Sequence, residues 1–230
     1  MPVIGITTYG AQEKSIITEG IDRFFGVPSV YVEAVRRAGA TAILLPPGDN
    51  PQDYVELCDG FIFTGGADID PKYYAGNPDH PKLGPIEPER DAFEFAFLKI
   101  LMAQTKPILL ICRGLQLLNI AKGGNLHAHI AEVHPENIHQ GKDTIWTLQE
   151  VETTDGRTLR GMSGHHQGIK DLGADLQVDA LAKDGIVEAI SLASHPYCRA
   201  VQWHPEMTAA ADPEQQAIFD AFVKEAGRDA

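Results

Sequence analysis

Cys112 is the residue whose surroundings most strongly indicate chemistry. Four apolar residues, Ile108–Ile111, precede it, and a helical apolar pattern begins at Leu115. A buried strand that turns at once into a helix holds the side chain at the turn clear of the sheet, as in a nucleophile elbow. The positive end of the helix favours the thiolate, and Gly114 leaves room for the turn to pack. The sequence therefore predicts covalent catalysis by a cysteine.

A cysteine nucleophile needs a base and a group that orients the base. His204 follows a β-like run, 199–203, and Pro205 biases it towards an extended conformation. In an extended segment residues two apart point the same way, so Glu206 is expected beside His204. We therefore expect Cys112, His204 and Glu206 to act together as nucleophile, base and orienting acid.

The developing oxyanion needs backbone N–H donors close to the sulfur. One candidate is the amide of Arg113, which directly follows the nucleophile. The other is Gly66, in a Gly-Gly turn after a strand expected to neighbour the elbow strand. Glycine at such a turn permits positive φ and close approach to a ligand. Gly66 and Arg113 are therefore the predicted oxyanion hole.

These residues must be positioned by a sheet and its helices. Over the first 125 residues strands alternate with helices, which predicts an α/β fold with parallel strands and active residues at the carboxyl ends of the strands. Strands are expected at 3–7, 41–45, 60–63 and 107–111, and helices at 27–38, 51–57, 89–104 and 113–121. Further on, short β segments are expected at 144–153, 176–181, 185–192 and 199–203, with a hairpin turn at 154–157 and a last helix at 213–224. We expect one domain over 1–230, with an additional small β region in the C-terminal half.

The composition limits the classes of partner that the protein is expected to bind. The 230 residues carry a net charge of −13, which argues against nucleic acid or an anionic membrane surface, because phosphate neutralisation needs clustered Lys and Arg. No apolar run approaches the length that spans a bilayer. The odd count of 3 cysteines argues against a disulfide framework. We expect a cytoplasmic protein that acts on a small molecule; a homodimer stays open.

The motifs together resemble the class I glutamine amidotransferase-like superfamily and, within it, the gamma-glutamyl-gamma-aminobutyrate hydrolase family. The resemblance covers nearly the whole chain, in the family's order. It rests on Gly65-Gly66-Ala67-Asp68-Ile69-Asp70-Pro71, Cys112-Arg113-Gly114-Leu115-Gln116, Asn119, Gly123-Gly124, His165-His166-Gln167-Gly168 and His204-Pro205-Glu206.

The resemblance implies a flavodoxin-like fold, a mostly parallel central sheet flanked by helices, with a Cys112-His204-Glu206 triad. It also implies that Gln116, His165, His166 and Gln167 lie near the substrate, a γ-glutamyl amide cleaved through a thioester on Cys112. No cofactor and no metal are expected. The leaving amine is left open, and its pocket is expected to come from loops 9–26 and 72–88.

Three alternatives stay open on sequence alone. The first is a glutaminase subunit that delivers ammonia to a separate synthase with the same triad. The second is a metal-binding module, since His127, His129, His134 and His139 lie close together in the chain. The third is a relative that binds without turnover, because Leu110 stands where the family usually has glycine and could crowd the elbow.

Overall fold

The computed structural model of the chain describes residues 1–12, 23–48 and 50–228. Its strands are β1 Val3–Thr7, β2 Thr41–Leu45, β3 Gly60–Phe63, β4 Ile108–Ile111, β5 Asn125–His127, β6 Thr147–Thr153, β7 Thr158–Ser163, β8 Gly168–Asp171, β9 Leu176–Ala182, β10 Val187–Leu192 and β11 Cys198–Val201. Its helices are α1 Ser29–Arg37, α2 Pro51–Leu57, α3 Pro88–Leu101, α4 Arg113–Ala121, α5 Pro205–Thr208 and α6 Pro213–Ala226.

One large sheet organises the molecule. Its strand order is β2-β1-β3-β4-β11-β10-β9-β6-β7. The pairs from β2 to β11 are parallel, and those from β11 to β7 are antiparallel. Taken in chain order, the parallel half has the 2-1-3-4-5 arrangement of flavodoxin-like folds. The predicted α/β, flavodoxin-like class is confirmed.

Helices cover both faces of the parallel half. Strands β3 and β4 are buried throughout, and their side chains alternate between two cores. Phe61, Phe63 and Leu110 pack on the side of α2, α3 and α4, whereas Ile62 and Leu109 pack on the side of α1 and α6. Burial on both faces explains why these strands read as continuous apolar runs.

The C-terminal β segments differ from the sequence expectation in two ways. Strands β6, β7, β9 and β10 extend the main sheet, and only β5 and β8, among the strands of the described residues, form a separate two-stranded sheet. The predicted hairpin turn joins β6 to β7, with Gly156 at φ 86°. Strand β7 itself was not predicted, because Gly161 and Arg160 interrupt its apolar alternation.

The carboxyl ends of the parallel strands gather the predicted residues at one edge. Thr64-Gly65-Gly66 follows β3, Cys112 follows β4, and His204 comes shortly after β11. Within the described part of the chain, no helix combines the length and apolarity needed to cross a membrane.

Candidate active site

Cys112 occupies a strained turn between β4 and α4. Its φ of 52° and ψ of −101° lie in a region that non-glycine residues seldom adopt. The N–H of Cys112 donates to the carbonyl of Val201 at 2.7 Å, which ties the elbow to β11. A strained backbone held by the sheet on one side and by a helix start on the other is the geometry expected of a nucleophile elbow.

Leu110 does not crowd this turn. Its side chain is fully buried in the core beneath α3 and α4, on the face away from α1 and α6. Gly114 provides the space, because a Cβ there would lie 3.0 Å from the Leu110 Cβ and 2.9 Å from the Phe63 carbonyl oxygen. The bulk of Leu110 therefore lies in the core and not in the turn.

His204 and Glu206 form a close pair. His204 Nδ1 donates to Glu206 Oε1 at 2.6 Å, and both side chains are buried. The backbone differs from the expectation: Pro205 begins α5, so Glu206 lies in a first helical turn and not in an extended segment. His204, at φ −111° and ψ 83°, precedes the helix because proline at N1 excludes the residue before it from the helical region.

The His204 ring faces Cys112. Burial alone would lower the pKa of His204, but the charges of Cys112 and Glu206, with hydrogen bonds to both, raise it well above 6.5. The edge of the Trp146 ring packs against the imidazole, with centroids 4.9 Å apart. Both neighbours therefore stabilise the charged form of the His204 imidazole.

Gly65 and Gly66 bring the β3 loop against this pair. A Cβ on Gly65 would lie 2.7 Å from His204 Cε1, so only glycine fits beside the imidazole. Gly66 has φ +138°, and a Cβ there would lie 2.3 Å from Arg90 Nη1. The loop can therefore approach the sulfur only because both positions lack a side chain.

A buried network of charges, which sequence reasoning missed, supports the loop and the elbow. Arg90 donates to the carbonyls of Thr64 and Gly65 at 3.1 and 2.8 Å. The Arg113 side chain forms ion pairs with Asp91 and Glu94, and Glu94 also accepts from Arg90 at 3.0 Å. Arg90 and Asp91 stand at the start of a predicted helix, where charges usually face solvent, but both are fully buried.

The space in front of Cys112 is a cavity of about 270 Å³. Its lining joins the elbow, the β3 loop and the loop before β8: Gly66, Ala67, Asp68, Gly84, Pro85, Cys112, Arg113, Gln116, Ile145, Gly164, His165, His166 and Gln167. A larger, open depression of about 990 Å³ lies along β6 and residues 135–142, away from Cys112. The smaller cavity is the candidate site because it contains the sulfur.

Every residue predicted to lie near the substrate lines this cavity. Gln116 Nε2 donates to the Gln167 carbonyl at 3.2 Å, and His165 Nδ1 donates to the same carbonyl at 2.9 Å. His166 Nε2 lies 3.0 Å from Asp68 Oδ1, which adds a carboxylate that the sequence had not singled out. The wall therefore offers an acid, two imidazoles and two amides.

Two tyrosines join the site from the first strand and helix. The Tyr31 hydroxyl accepts from the Gly65 N–H at 3.1 Å. Burial, with the charge of Glu206, raises the Tyr31 pKa well above 10. Tyr9 lies against Arg90, and burial raises its pKa to about 12. Both hydroxyls therefore keep their protons at neutral pH. Nothing in their local sequence distinguishes them from core tyrosines.

The structure describes part of the two loops that were expected to shape the leaving-group pocket. Residues 13–22 of the predicted 9–26 loop lie outside the described residues. From the predicted 72–88 loop, Gly84 and Pro85 line the cavity. The Gly84 N–H donates to Asp68 at 2.7 Å, which fixes this loop at the cavity mouth.

Replacing Gly66 by alanine should lower the turnover number by about 10²–10³-fold, the typical loss for one oxyanion donor. The added Cβ would collide with Arg90 Nη1, and the positive φ is unfavourable for any side chain. Steady-state kinetics on the purified variant, with thermal unfolding to confirm folding, make the measurement.

Gly39→Ala is the matched control, because Gly39 has φ +86° but nothing lies within 4 Å of its would-be Cβ. It also places a side chain at a positive φ, but without the collision, so its rate should stay at the wild-type value. Equal activity of the Gly66 and Gly39 variants would remove the assigned role of Gly66.

The four clustered histidines do not converge on a single point. The His129 ring lies beside His166, at a centroid distance of 5.6 Å, and His134 lies 4.0 Å from Asp184. Of the four, only His139 joins a compact group of metal-ligating side chains among the residues described, together with His165 and Glu188 from distant parts of the chain.

Relatives of known sequence cover nearly the whole chain. Rv2859c of Mycobacterium tuberculosis, a proposed glutamine amidotransferase, is 35% identical over 99% of this chain and 77% of its own length. Protein NtpR of Enterococcus hirae is 34% identical over 98% and 99%. The gamma-glutamyl-gamma-aminobutyrate hydrolase PuuD of Escherichia coli is 30% identical over 96% of this chain and 92% of its own.

A solved structure and a family model agree with these relatives. The crystal structure of a proposed GMP synthase subunit from Thermoplasma acidophilum has a TM-score of 0.67 at 16% identity, covering 98% of this chain and 94% of that one, a likeness of fold alone. The Peptidase C26 model matches residues 2–206. The chain therefore belongs to the Peptidase C26 family of class I glutamine amidotransferase-like hydrolases.

Proposed function

We propose that the protein hydrolyses the γ-amide bond of γ-glutamyl amines through a thioester on Cys112. The observation that carries the proposal is the strained cysteine beside a buried histidine–glutamate pair, in the wall of a cavity that also contains Asp68 and His166. A raised His204 pKa supports it, because the imidazolium can supply the proton that the leaving amine needs.

The first half-reaction forms the acyl-enzyme. The Cys112 thiolate attacks the γ-carbonyl carbon, and the amide N–H groups of Gly66 and Arg113 receive the oxyanion. As the C–N bond breaks, His204 gives its proton to the departing amine, which leaves a γ-glutamyl thioester. The Arg113 N–H is available for this role, since the first N–H groups of a helix have no intrahelical partner.

The second half-reaction regenerates the thiol. Neutral His204 takes a proton from water as the water attacks the thioester carbonyl. The C–S bond then breaks, glutamate leaves, and the thiolate–imidazolium pair returns. Glu206 holds the ring in place through both steps with its bond to Nδ1.

The size and lining of the cavity favour recognition of the glutamyl group of the substrate. A volume of about 270 Å³ lies at the small end of ligand pockets, so it suits the glutamyl portion with the amine directed outwards. A γ-glutamyl group carries an ammonium and a carboxylate on its α-carbon. Asp68 offers a partner for the first, and the His166 imidazole offers a donor for the second.

A panel of γ-glutamyl amides tests the function. Purified protein should release glutamate and free amine from γ-glutamyl derivatives of aminobutyrate, simple alkylamines and diamines. The matched α-glutamyl and β-aspartyl compounds should stay intact, because they place the carbonyl at the wrong distance from the α-carbon groups. Chromatography of both products measures each rate.

Free glutamine is the discriminating substrate. A stand-alone hydrolase of γ-glutamyl amines should act on the panel faster than on glutamine without any added protein. Turnover confined to glutamine, or no turnover of any γ-glutamyl compound, would contradict the proposal and favour a subunit that supplies ammonia.

A further inference from the structure

A buried cluster of two histidines and a glutamate lies directly behind the cavity wall. His139, His165 and Glu188 are buried, and one ligand atom from each lies within 4.8 Å of the others. His139 Nδ1 is 3.1 Å and His165 Nε2 is 3.4 Å from the same oxygen of Glu188. His165 also lines the cavity, so the cluster and the site share a residue.

The outer nitrogen of each ring is already committed. His139 Nε2 donates to the Asp184 carboxylate at 2.9 Å, and His165 Nδ1 donates to the Gln167 carbonyl at 2.9 Å. In neutral imidazoles the inner nitrogens therefore carry lone pairs. Two ring nitrogens and a carboxylate oxygen therefore converge on one place, where a cation could be shared between them.

A fourth donor completes the cluster. The Gln149 side-chain nitrogen, Nε2, lies 3.0 Å from His139 Nδ1 and 3.2 Å from Glu188 Oε1. Rotation of the amide by half a turn exchanges its N and O, so its oxygen can face inward. Gln149 Oε1, Glu188 Oε2 and His165 Nε2 have no hydrogen-bond partner among the described residues, although all are buried.

Two separations within the cluster match those between metal ligands, and all three ligand atoms lie within 4.8 Å of one another. Tetrahedral nitrogen and oxygen ligands about 2.0–2.2 Å from Zn²⁺ lie about 3.3–3.5 Å apart. The separations of 3.1 and 3.4 Å from Glu188 are close to that value. Asp184 and the Gln167 carbonyl hold the outer nitrogens as outer partners of ligating histidines usually do.

We propose that His139, His165, Glu188 and Gln149 form a structural site for a divalent first-row cation, with Zn²⁺ as the best fit. The donor set of imidazole and oxygen suits this class, and four protein ligands leave no open position for a reacting water. The ion would fix the His165 ring at the cavity wall. It takes no part in the chemistry at Cys112.

Protonated histidine in place of a bound metal ion is the competing explanation of the cluster. Burial alone lowers the pKa of His139, but its hydrogen bonds with Glu188 and Asp184 and their charges raise it. An imidazolium at His139 would offset negative charge on Glu188 and Asp184, as a divalent cation would. Measuring bound metal therefore distinguishes the two explanations, whereas measuring charge does not.

The test uses the full-length protein without an affinity tag. After treatment with a chelator and gel filtration, the chain should rebind one equivalent of Zn²⁺, measured by elemental analysis and by competition with a chromophoric chelator. Co²⁺ in its place should give the visible absorption of a tetrahedral site. Retention of no stoichiometric Zn²⁺ by the folded wild-type protein would overturn the proposal.

Variants locate the ion. Glu188→Gln and His139→Gln should abolish the Co²⁺ spectrum, and Asp184→Asn, which removes only an outer partner, should weaken Zn²⁺ binding by about 10–100-fold. His127→Gln is the matched control, because it removes a histidine of β5 outside the cluster. Should the Asp184 and His127 variants bind Zn²⁺ equally well, the ion is not held where we place it.

Discussion

Cys112→Ala should lose on the order of 10⁴–10⁶-fold in the turnover of γ-glutamyl amides while the protein stays folded. Alanine keeps the backbone of the elbow but removes the atom that forms the thioester. His204 and Glu206 then have no nucleophile to activate. Cys112→Ser should be nearly as inactive, because the site is built for a thiolate and a hydroxyl is far harder to ionise.

Mass spectrometry of the intact protein gives the direct measurement. Brief incubation of the wild-type chain with a slow γ-glutamyl substrate should show one added γ-glutamyl group, and the alanine variant should show none. Cys58→Ala is the matched control, since Cys58 is also a buried free thiol but lies at the end of α2. Undiminished turnover by the Cys112 variant, or loss of labelling with the Cys58 variant, would contradict the mechanism.

Glu94→Gln should lower the free energy of unfolding by about 3–5 kcal/mol, the typical cost of leaving a buried charge without its partner. Glu94 is fully buried and accepts from Arg90, Arg113 and Thr7. Glutamine keeps the size and leaves two guanidinium groups with less opposing charge. Urea unfolding of both proteins at pH 7 measures the difference.

The pH dependence of that difference has a definite sign. Burial alone raises the pKa of Glu94, but Arg90 and Arg113 lower it below the ordinary 4.5. A carboxyl with a lowered folded-state pKa stabilises fully above its unfolded-state pKa, and the contribution falls as the pH drops towards the folded-state value. The gap between wild type and Glu94→Gln should therefore be constant near neutral pH and shrink below about pH 4.5.

Glu89→Gln is the control on the same helix. Glu89 is half exposed and pairs only with exposed Arg23 among the described residues. Its substitution should change the free energy of unfolding by no more than about 0.5 kcal/mol. Similar losses for both glutamine variants would mean that the buried network is not what stabilises this face.

The candidate site was predictable where its residues occur in unusual local settings. Cys112 stands out because a thiol at a strand–helix junction has few structural reasons to be there. His204 and Glu206 were paired through their spacing, although the backbone between them is the start of a helix. The side chains were paired although the predicted backbone was wrong, because Pro205 is compatible with an extended segment and with the first turn of a helix.

The supporting residues could not be placed from local sequence. Arg90 and Asp91 read as an ordinary charged start of a helix, and Glu94 did not stand out. Only the tertiary fold shows all three beneath Arg113. Glu188 gave a readable signal, since an acid inside the apolar strand β10 is unexpected. Its partners His139 and His165 come from other loops, which spacing along the chain does not reveal.

The fold, like the site, could be predicted from local sequence only in part. Regular alternation of apolar strands and helices specified the parallel half, since burial on both faces leaves continuous apolar runs. The antiparallel half is exposed along β6 and β7, where alternation is weak and polar residues interrupt it. Whether such strands join the main sheet depends on long-range pairing.

The hydrogen bond from Cys112 to Val201 means that the ladder between β4 and β11 fixes how far the sulfur stands from the imidazole. The chain between them leaves the ladder at α4 and returns at β11; on the way it supplies β10, which pairs with β11, and Met162 of β7, whose carbonyl accepts from the His204 N–H at 2.7 Å. Lengthening or trimming the turn at Gly156 would leave the reacting atoms aligned. The tip of the β6–β7 hairpin, where nothing lies within 4 Å of a Cβ on Gly156, can therefore vary without shifting the strands that hold the reacting atoms.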